Sequence, residues 1–368
     1  MAKSKNKIGF FSRFLLLLNI VFAILLLISG FSKYANPTEY SLFPFFGLPF
    51  VFFVFANLLF IPFWLFKNIK LCLISIIVLI VNYSNITSHF QIRQEQKIPE
   101  HSIKIMSYNV RLFGLYNNNS NKYELDSIIG LINKENPNIL FIQEYYCDEK
   151  ESFPTRSNLL KVGDLKYFSN NFTLTNKKHH FGTAIFCSYP IINSAVVDFG
   201  KKTGNSCMYC DVVINNDTLR LFNVHLASIH FGKEDYNFIN ELSSNNNESP
   251  NIKQNSLKIF RKLRKAYKTR ATQVEILTKE IIKSPYRVLI AGDFNDPPIS
   301  YTYNSILGLD LLDAFKEAGN GWTSTFVGIF PFFRIDYIFH SKEIKSYRYR
   351  TIEKKFSDHY PITCYIKI

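Results

Sequence analysis

Long apolar runs fill the first 90 residues of the chain, whereas short alternating runs fill the rest. Phe14 to Ile28 is almost wholly apolar, Ser41 to Phe66 contains no charged residue, and Leu71 to Phe90 contains no Asp, Glu, Lys or Arg. A helix needs about 20 predominantly apolar residues to cross the hydrocarbon core of a bilayer, and these runs lack the polar face of a helix that packs on a soluble core. The pattern predicts three transmembrane helices, at about residues 9–30, 42–66 and 71–90.

From residue 102 onward, short β-like segments alternate with turns and helices, after a polar linker at residues 91–101. Two adjacent segments, "SCMYCDVVIN" and "DTLRLFNVHL", are typical of a hairpin that turns at Asn215 to Asp217. Helices are expected around Tyr123 to Glu135 and, rich in basic residues, from Ile252 to Lys283, with "ELSSNNNESPN" as a surface insertion before the second. The other predicted strands are "SIKIMSYNV", "NPNILFIQE", "GTAIFCSYP", "YRVLIAGD", "WTSTFVG", "RIDYIFH" and "FSDHYPITCYIKI".

Charge is distributed unevenly along the chain. The net charge of +14 divides equally at residue 98, because the first 98 residues contain nine Lys or Arg and two Asp or Glu. Basic residues near the ends of membrane helices favour the cytoplasmic side. The predicted spans place six of them on the N-terminal side (Lys3, Lys5, Lys7, Arg13, Lys67 and Lys70) and three on the other (Lys33, Arg93 and Lys97). A multi-pass cell-membrane protein is therefore expected, with a cytoplasmic N terminus and its C-terminal domain outside the cytoplasm.

Polar side chains with catalytic potential lie at or beside the ends of the predicted strands. They are Asn109, Glu144, His225, Asp293, Asn295, Asp336, Asp358 and His359. Each has an ordinary structural explanation: for example, Asn109 could form a turn, and Asp336 could pair with Arg334. Glu144 could equally be a solvated edge charge, and His225 a core histidine. Because a buried carboxylate is costly unless it is paired or binds a metal ion, we expect these side chains to share one site at a sheet edge.

Six motifs in this order, "SYNVRLFG", "ILFIQE", "NVHL", "AGDFND", "RIDYIF" and "SDHYPI", resemble the endonuclease/exonuclease/phosphatase superfamily. Deoxyribonuclease I, abasic-site endonucleases, neutral sphingomyelinases and inositol-phosphate 5-phosphatases belong to it. The resemblance covers about residues 102–368, and "GDFN" followed by a near-terminal "SDH" is its most specific part. It implies an α/β (α+β) fold of the DNase I-like type, in which a sandwich of two β-sheets is flanked by helices and loops at one edge form the site.

The resemblance also implies a Mg²⁺ site, with Mn²⁺ as the alternative ion. It assigns Glu144 as the principal ligand, supported by Asn109 and Asp358. Asp293 would orient and deprotonate the attacking water, and Asn295 would hold water or phosphate beside it. The D-x-N spacing suits these roles, because alternate residues of an extended segment point the same way. A hard divalent ion with oxygen ligands neutralises the phosphate charge that phosphodiester hydrolysis must overcome.

Two histidines complete the expected site. By resemblance, His359 would donate a hydrogen bond or a proton to the phosphate as negative charge develops, and Asp336 would fix the tautomer of His359. His225 takes the place of a second site histidine in nucleases of the deoxyribonuclease I type. The chain departs from some abasic-site enzymes at Arg111, where they carry an acidic residue. Arg111 is expected either to contact phosphate or to be solvated.

These observations predict a membrane-anchored, Mg²⁺-dependent phosphoesterase that hydrolyses phosphodiester bonds, with an endonuclease-type activity as the leading expectation. A lipid phosphodiesterase of the sphingomyelinase type and a catalytically idle binding domain are the alternatives. A glycosidase needs two carboxylates but would not require the histidines and asparagines. The expected partners are a phosphodiester substrate (nucleic acid or lipid) and the bilayer, with no obligate protein partner.

Six cysteines are too few for a disulfide framework in a chain of 368 residues. Cys207 and Cys210 form a lone C-x-x-C in a predicted strand, and no second Cys or His pair lies at zinc-binding spacing. The pattern favours adjacent outward-facing thiols or a local disulfide over a zinc site.

Overall fold

The computed structural model describes residues 9–116, 121–150, 152–200, 204–229, 231–243, 252–328 and 333–368. Lys3, Lys5, Lys7 and most of the predicted insertion "ELSSNNNESPN" lie outside these residues. In the described part of the chain, an N-terminal group of helices packs beside a domain that is built on two β-sheets.

The helices before residue 90, which we call the N-terminal helical unit, are packed against one another. Their bounds are α1 Phe10–Phe31, α2 Phe43–Gly47, α3 Phe50–Lys67, α4 Cys72–Val81 and α5 Tyr83–Ile86. Polar side chains link them inside the unit: Asn19 donates to Ser75 (2.8 Å), Ser75 donates to Asn57 (3.2 Å), and Trp64 donates to Asn19 (2.9 Å). These side chains are fully buried, and their mutual hydrogen bonds satisfy polar atoms that have no access to water.

Two helical segments of the described chain, not three, are long and apolar enough to cross a membrane: Phe10–Tyr34 and Phe50–Lys67. The prediction of a third span at residues 71–90 is wrong. Helix α4 has 10 residues and so reaches about 15 Å, half of a bilayer core. It ends because Asn82 leaves the helical conformation and its side chain donates to the carbonyl oxygen of Val78 (3.0 Å).

The domain contains two six-stranded sheets, which agrees with the two-sheet sandwich that the family resemblance implies. One sheet has the order β10-β12-β9-β8-β7-β6 and the other β13-β14-β2-β3-β5-β4. The strands are β1 Phe90–Gln91, β2 Ile103–Asn109, β3 Ile139–Asp148, β4 Tyr167–Asn176, β5 His179–Cys187, β6 Ile191–Val197, β7 Ser206–Ile214, β8 Asp217–His225, β9 Arg287–Asp293, β10 Leu311–Asp313, β11 Gly321–Trp322, β12 Asp336–Ser341, β13 Lys345–Thr351 and β14 Ile362–Lys367. The remaining helices are α6 Asn121–Glu135, α7 Thr155–Leu159, α8 Lys233–Ser243, α9 Ile252–Ile282, α10 Tyr301–Leu307 and α11 Ala314–Ala318.

The apolar core lies between the sheets, where side chains such as Ile105, Phe141, Leu221 and Leu289 pack together. Each sheet contains one parallel pair, β2 with β3 and β8 with β9, and the other pairs are antiparallel. The parallel pairs align Asn109 with Gln143 and His225 with Asp293. The polar ends of four strands therefore meet at one edge of the sandwich.

Two local predictions are wrong. Of "WTSTFVG", only Trp322 lies in a strand, Gly321–Trp322, and Phe326 forms an isolated β-bridge with His359. The hydroxyl of Thr325 instead accepts the backbone N–H groups of Ile335 (2.9 Å) and Asp336 (3.0 Å). Cys207 and Cys210 are neither outward-facing nor disulfide-bonded: both are free and buried. They pack on opposite faces of their sheet, because residues three apart on a strand point in opposite directions.

Candidate active site

Asp293, the last residue of β9, is the hub of the polar edge. Its Oδ2 atom accepts hydrogen bonds from the side-chain amides of Asn109 (3.0 Å) and Asn295 (3.1 Å), and its Oδ1 accepts from the backbone N–H of Asn295 (2.8 Å). Gly292 allows this strand to lie close to its neighbour, since a Cβ there would come within 1.9 Å of the carbonyl oxygen of Val224. The D-x-N motif thus forms a turn and also fixes a buried carboxylate.

His359 and Asp336 form a buried pair beside this hub. Nδ1 of His359 lies 2.9 Å from Oδ2 of Asp336, and Nε2 lies 3.6 Å from Oδ2 of Asp293. Burial alone lowers the pKa of His359, but the negative charges of Asp336 and Asp293 outweigh burial and hold it well above its usual value. Burial raises the pKa of Asp293 to about 6, against the opposing charge of His359. Near neutral pH the arrangement therefore favours an imidazolium between two carboxylates. Arg334 is not the partner of Asp336; it pairs with Asp313 instead (2.7 Å).

Glu144 is turned toward the hub by an irregularity in β3. The register of β3 with β5 shifts between Ile142 and Tyr145, and Glu144 has a φ of 50°, a conformation rare in strands for a residue other than glycine. Its Oε1 lies 3.4 Å from the amide nitrogen of Asn109. The side chain is 36% exposed, so it remains accessible from solvent. Burial and then the charge of Asp358 raise the pKa of Glu144.

His225 lies between the carboxylates of Glu144 and Asp293. Its Nε2 is 3.9 Å from Oε1 of Glu144 and 3.8 Å from Oδ2 of Asp293. Asp358 and Arg111 form a looser, partly exposed pair in which Nε and Oδ2 are 3.6 Å apart. The structure therefore brings together all of the residues that the sequence predicts for the site, with Arg111 at its solvent side.

The donor set fits a hard divalent cation. Within the described ranges, ligand atoms of Asp293, Asp336 and His359 lie within 4.8 Å of one another. The oxygens of this group are already occupied by hydrogen bonds from amides and imidazole. Glu144 and Asp358, by contrast, are partly exposed carboxylates whose mutual repulsion would be relieved by a cation. Mg²⁺ is usually bound through one or two carboxylates and keeps several of its waters.

Several site residues were not predicted from the sequence. Gln143 of one sheet donates to Asn223 of the other (2.7 Å), and Asn223 donates to the carbonyl oxygens of Ile142 (3.0 Å) and Ala184 (2.8 Å). This fully buried bridge fixes the spacing of the sheets beneath Glu144. Its only signal in the sequence is a polar residue inside each of the apolar runs "ILFIQE" and "LFNVHL".

Two aromatic residues also belong to the site. The ring of Phe326 lies 5.6 Å from that of His359 in an edge-to-face arrangement. Burial and the charge of Asp358 raise the pKa of Tyr236, which is contributed by α8. Both lie in segments without a recognisable motif, so nothing in the sequence pointed to them.

A profile of the endonuclease/exonuclease/phosphatase family matches residues 106–359, and a profile described as a domain of unknown function matches residues 12–89. No curated protein sequence matches the chain. Similar solved structures include an endonuclease/exonuclease/phosphatase from Beutenbergia cavernae, with a TM-score of 0.53, 14% identity and coverage of 73% of this chain and 72% of that one. A mannosyl-6-phosphatase from Bacteroides thetaiotaomicron gives a TM-score of 0.53, 14% identity and coverage of 73% and 100%. An endonuclease/exonuclease/phosphatase family protein from Leptotrichia buccalis gives a TM-score of 0.51, 16% identity and coverage of 72% of this chain and 100% of that one.

At these identities the solved structures establish a shared fold, two sheets flanked by helices of the DNase I-like type. The family profile covers more than half of the chain and spans the polar edge from β2 to His359. The chain therefore belongs to the endonuclease/exonuclease/phosphatase family.

Proposed function

We propose that the protein is a membrane-bound, Mg²⁺-dependent hydrolase of phosphodiester bonds. The observation that carries the proposal is the fixed carboxylate of Asp293, held by two amides within 4 Å of His225 and His359. A base and two imidazoles that converge in this way suit attack by water on a phosphorus centre. Glu144 at the open side of the same group supplies the negative charge that a metal ion needs.

Glu144, Asn109 and Asp358 would hold Mg²⁺ or, alternatively, Mn²⁺. When bound, the ion would withdraw charge from the phosphate oxygens and orient the ester. Arg111 is the substrate contact that we propose at the solvent side, because its guanidinium, now paired with Asp358, can donate hydrogen bonds to a phosphate.

In the proposed step, Asp293 takes a proton from water while the water oxygen bonds to phosphorus. The bond from phosphorus to the leaving oxygen breaks with its electron pair, and that oxygen takes a proton from solvent. The products are an alcohol and a phosphate monoester. His359, kept positively charged by Asp336, donates a hydrogen bond to a phosphate oxygen as charge develops. His225 supplies a second imidazole on the side of Glu144.

The endonuclease-type activity expected from the sequence and the hydrolysis of a lipid diester use the same chemistry. The fold is shared with a mannosyl-6-phosphatase, so a monoester belongs among the test substrates. A catalytically idle domain is disfavoured because Asp293, Asn295, Asp336 and His359 are all retained in hydrogen-bonded order.

We also propose that the N-terminal helical unit anchors the protein in the cell membrane as a multi-pass protein. Arg13, Lys67 and Lys70 lie toward the end of the unit that is remote from the domain, since α1 ends and α3 begins at the domain. Helices α4 and α5, which are two shorter helices and not one spanning helix, lead the chain from that end back to the domain, where Ser88 contacts Arg334. Because basic residues favour the cytoplasmic side, the domain would face away from the cytoplasm.

The test uses the full chain purified in detergent. Its Mg²⁺-dependent turnover of bis(p-nitrophenyl) phosphate, p-nitrophenyl phosphate and plasmid DNA is compared with that of Asp293→Ala. Glu149→Gln removes an exposed carboxylate of the same chain region and is the control. Hydrolysis of a diester that needs both Mg²⁺ and Asp293 supports the proposal, whereas hydrolysis of the monoester alone would contradict it.

A further inference from the structure

The domain is docked on the helical unit through several contacts, in addition to the chain connection. Strand β1 pairs with β11, aligning Phe90 with Trp322, and the ring of Trp322 lies 6.4 Å from that of Phe55 in α3. Arg93 donates to the carbonyl oxygen of Lys316 (2.9 Å). These contacts hold the domain against the end of the helical unit.

The loop that follows β9 inserts into the helical unit. Ile299, four residues after Asn295, is 2% exposed and packs among Leu26, Phe50 and Val54. Gly47 makes this approach possible, because a Cβ there would lie 2.7 Å from the carbonyl oxygen of Ile299. Four residues span at most about 14 Å, so Asn295 lies within that distance of the end of the unit.

The loop that precedes β12 also reaches the unit. Arg334 is fully buried, binds Asp313 through two hydrogen bonds (3.2 and 2.7 Å) and donates to the carbonyl oxygen of Ser88 (2.8 Å). Asp336 follows two residues later, at most about 7 Å along the chain. Two separate segments of the active site are thus attached to the same end of the helices.

Aromatic side chains are exposed at this end of the helical unit. Exposed rings surround the end of α1, helix α2 and the loop between them, at Phe31, Tyr34, Tyr40, Phe43 and Phe46. Tyrosines such as Tyr34 and Tyr40 are enriched at the headgroup layer of membrane proteins. That layer is about 5–8 Å thick on each side, so a site within about 14 Å of it is next to lipid headgroups.

Helix α9 adds positive charge at the same level. The ring of Phe45 stacks on that of Phe260 (4.5 Å), and Arg264 donates to Ser41 (2.8 Å). Beside this contact, Arg261 and Lys265 are one helical turn apart and exposed. Basic side chains at a bilayer surface attract anionic lipids.

From this placement we infer that the substrate is a phosphodiester of a glycerophospholipid with an anionic headgroup, in the bilayer that holds the protein. The inference rests on the proposed function and names its substrate class. The helical unit holds the catalytic edge beside the headgroups, and Arg261 and Lys265 concentrate anionic lipid there. Hydrolysis on the diacylglycerol side consumes one water and yields diacylglycerol and a soluble phosphate monoester.

The test places the full chain in vesicles of phosphatidylcholine and phosphatidylglycerol with Mg²⁺ and measures release of diacylglycerol. Soluble glycerophosphoglycerol, which is the same diester without acyl chains, and plasmid DNA are offered at equal phosphodiester concentration. We expect the vesicle lipid to be hydrolysed at least about tenfold faster than either soluble substrate, because binding energy and local concentration favour the lipid.

Two charge variants test the role of α9. Arg261→Gln with Lys265→Gln is expected to lower the ratio of lipid to soluble-diester turnover about tenfold. Lys279→Gln with Lys283→Gln, which removes the same charge from the last turn of α9 and the residue after it, is the matched control and should leave the ratio unchanged. An equal effect of both pairs would overturn the role given to Arg261 and Lys265.

The outcomes separate the two proposals. If DNA or glycerophosphoglycerol is hydrolysed faster than vesicle lipid, the lipid assignment is wrong and the proposed phosphodiesterase function stands. If none of the three substrates and no p-nitrophenyl diester is hydrolysed with Mg²⁺, the proposed function itself is wrong.

Discussion

Asp336 acts on His359 through one buried hydrogen bond, and we predict that Asp336→Asn lowers turnover about 10- to 150-fold. The two side chains are 2.9 Å apart and both are buried. A hydrogen bond that involves a charged group contributes about 1.5–3 kcal/mol, and each factor of ten in rate corresponds to about 1.4 kcal/mol. Asn keeps the size of the side chain, so the loss should be in kcat while KM changes little.

The same substitution should move the pH profile. The negative charge of Asp336 is the largest influence that raises the pKa of His359, against the opposing effect of burial. Removing the charge lowers that pKa, so the protonated imidazole is lost at lower pH. We therefore expect the alkaline limb of the kcat profile to shift toward lower pH in Asp336→Asn.

The assay is steady-state hydrolysis of a soluble diester by wild type, Asp336→Asn, His359→Ala and the double variant. If Asp336 acts through His359, the double variant should be within about threefold of His359→Ala. Asp310→Asn, which changes an exposed aspartate paired with Lys342, is the matched control. Losses that multiply in the double variant, or an alkaline limb that does not move, would refute the reasoning.

Three further predictions concern the metal, the docking and the topology. Glu144→Gln should raise the Mg²⁺ concentration for half-maximal activity about 100-fold or more, since even outer-shell partners contribute about 10- to 100-fold; an unchanged Mg²⁺ titration would contradict the ligand assignment. Ile299→Ala should lower the free energy of unfolding in detergent by about 2–5 kcal/mol, and the exposed Ile192→Ala by less than about 0.5 kcal/mol; equal losses would contradict the docking. A reporter fused after Ile368 should be active only outside the cytoplasm, and cytoplasmic activity would reverse the proposed orientation.

The active-site edge could be predicted from the sequence because its polar residues lie in or at the ends of apolar segments. Asn109, Glu144 and Asp293 end or interrupt apolar strands, where an unpaired polar group is costly. One shared site, in which these groups are partners, explains all three positions. The alternating runs predicted individual strands, and the arrangement of these strands in two sheets was implied only by the resemblance of the six motifs to the superfamily. The convergence of the strand ends then depends on the two parallel pairs.

Other features depend on contacts that local pattern does not encode. Arg334 is two residues from Asp336 and suggested a local pair, yet it binds Asp313, 21 residues earlier, and a carbonyl group of the helical unit. The apolar run at residues 71–90 gave no sign that a helix ends at Asn82. Hydropathy does not show that the side chain of Asn82 donates a hydrogen bond to the backbone carbonyl group of Val78. Ile299 follows two prolines, a local pattern that is typical of turns, yet it packs inside the helical unit.

The central claim, that this edge hydrolyses a phosphodiester by attack of water on phosphorus, is tested most directly by turnover in ¹⁸O-labelled water. The full chain with Mg²⁺ is given bis(p-nitrophenyl) phosphate, and the monoester product is analysed by mass spectrometry. We predict that one ¹⁸O atom enters the phosphate of each product molecule and that Asp293→Asn abolishes its formation. Absence of Mg²⁺-dependent turnover, or a product with the label in the alcohol and none in the phosphate, would contradict the account.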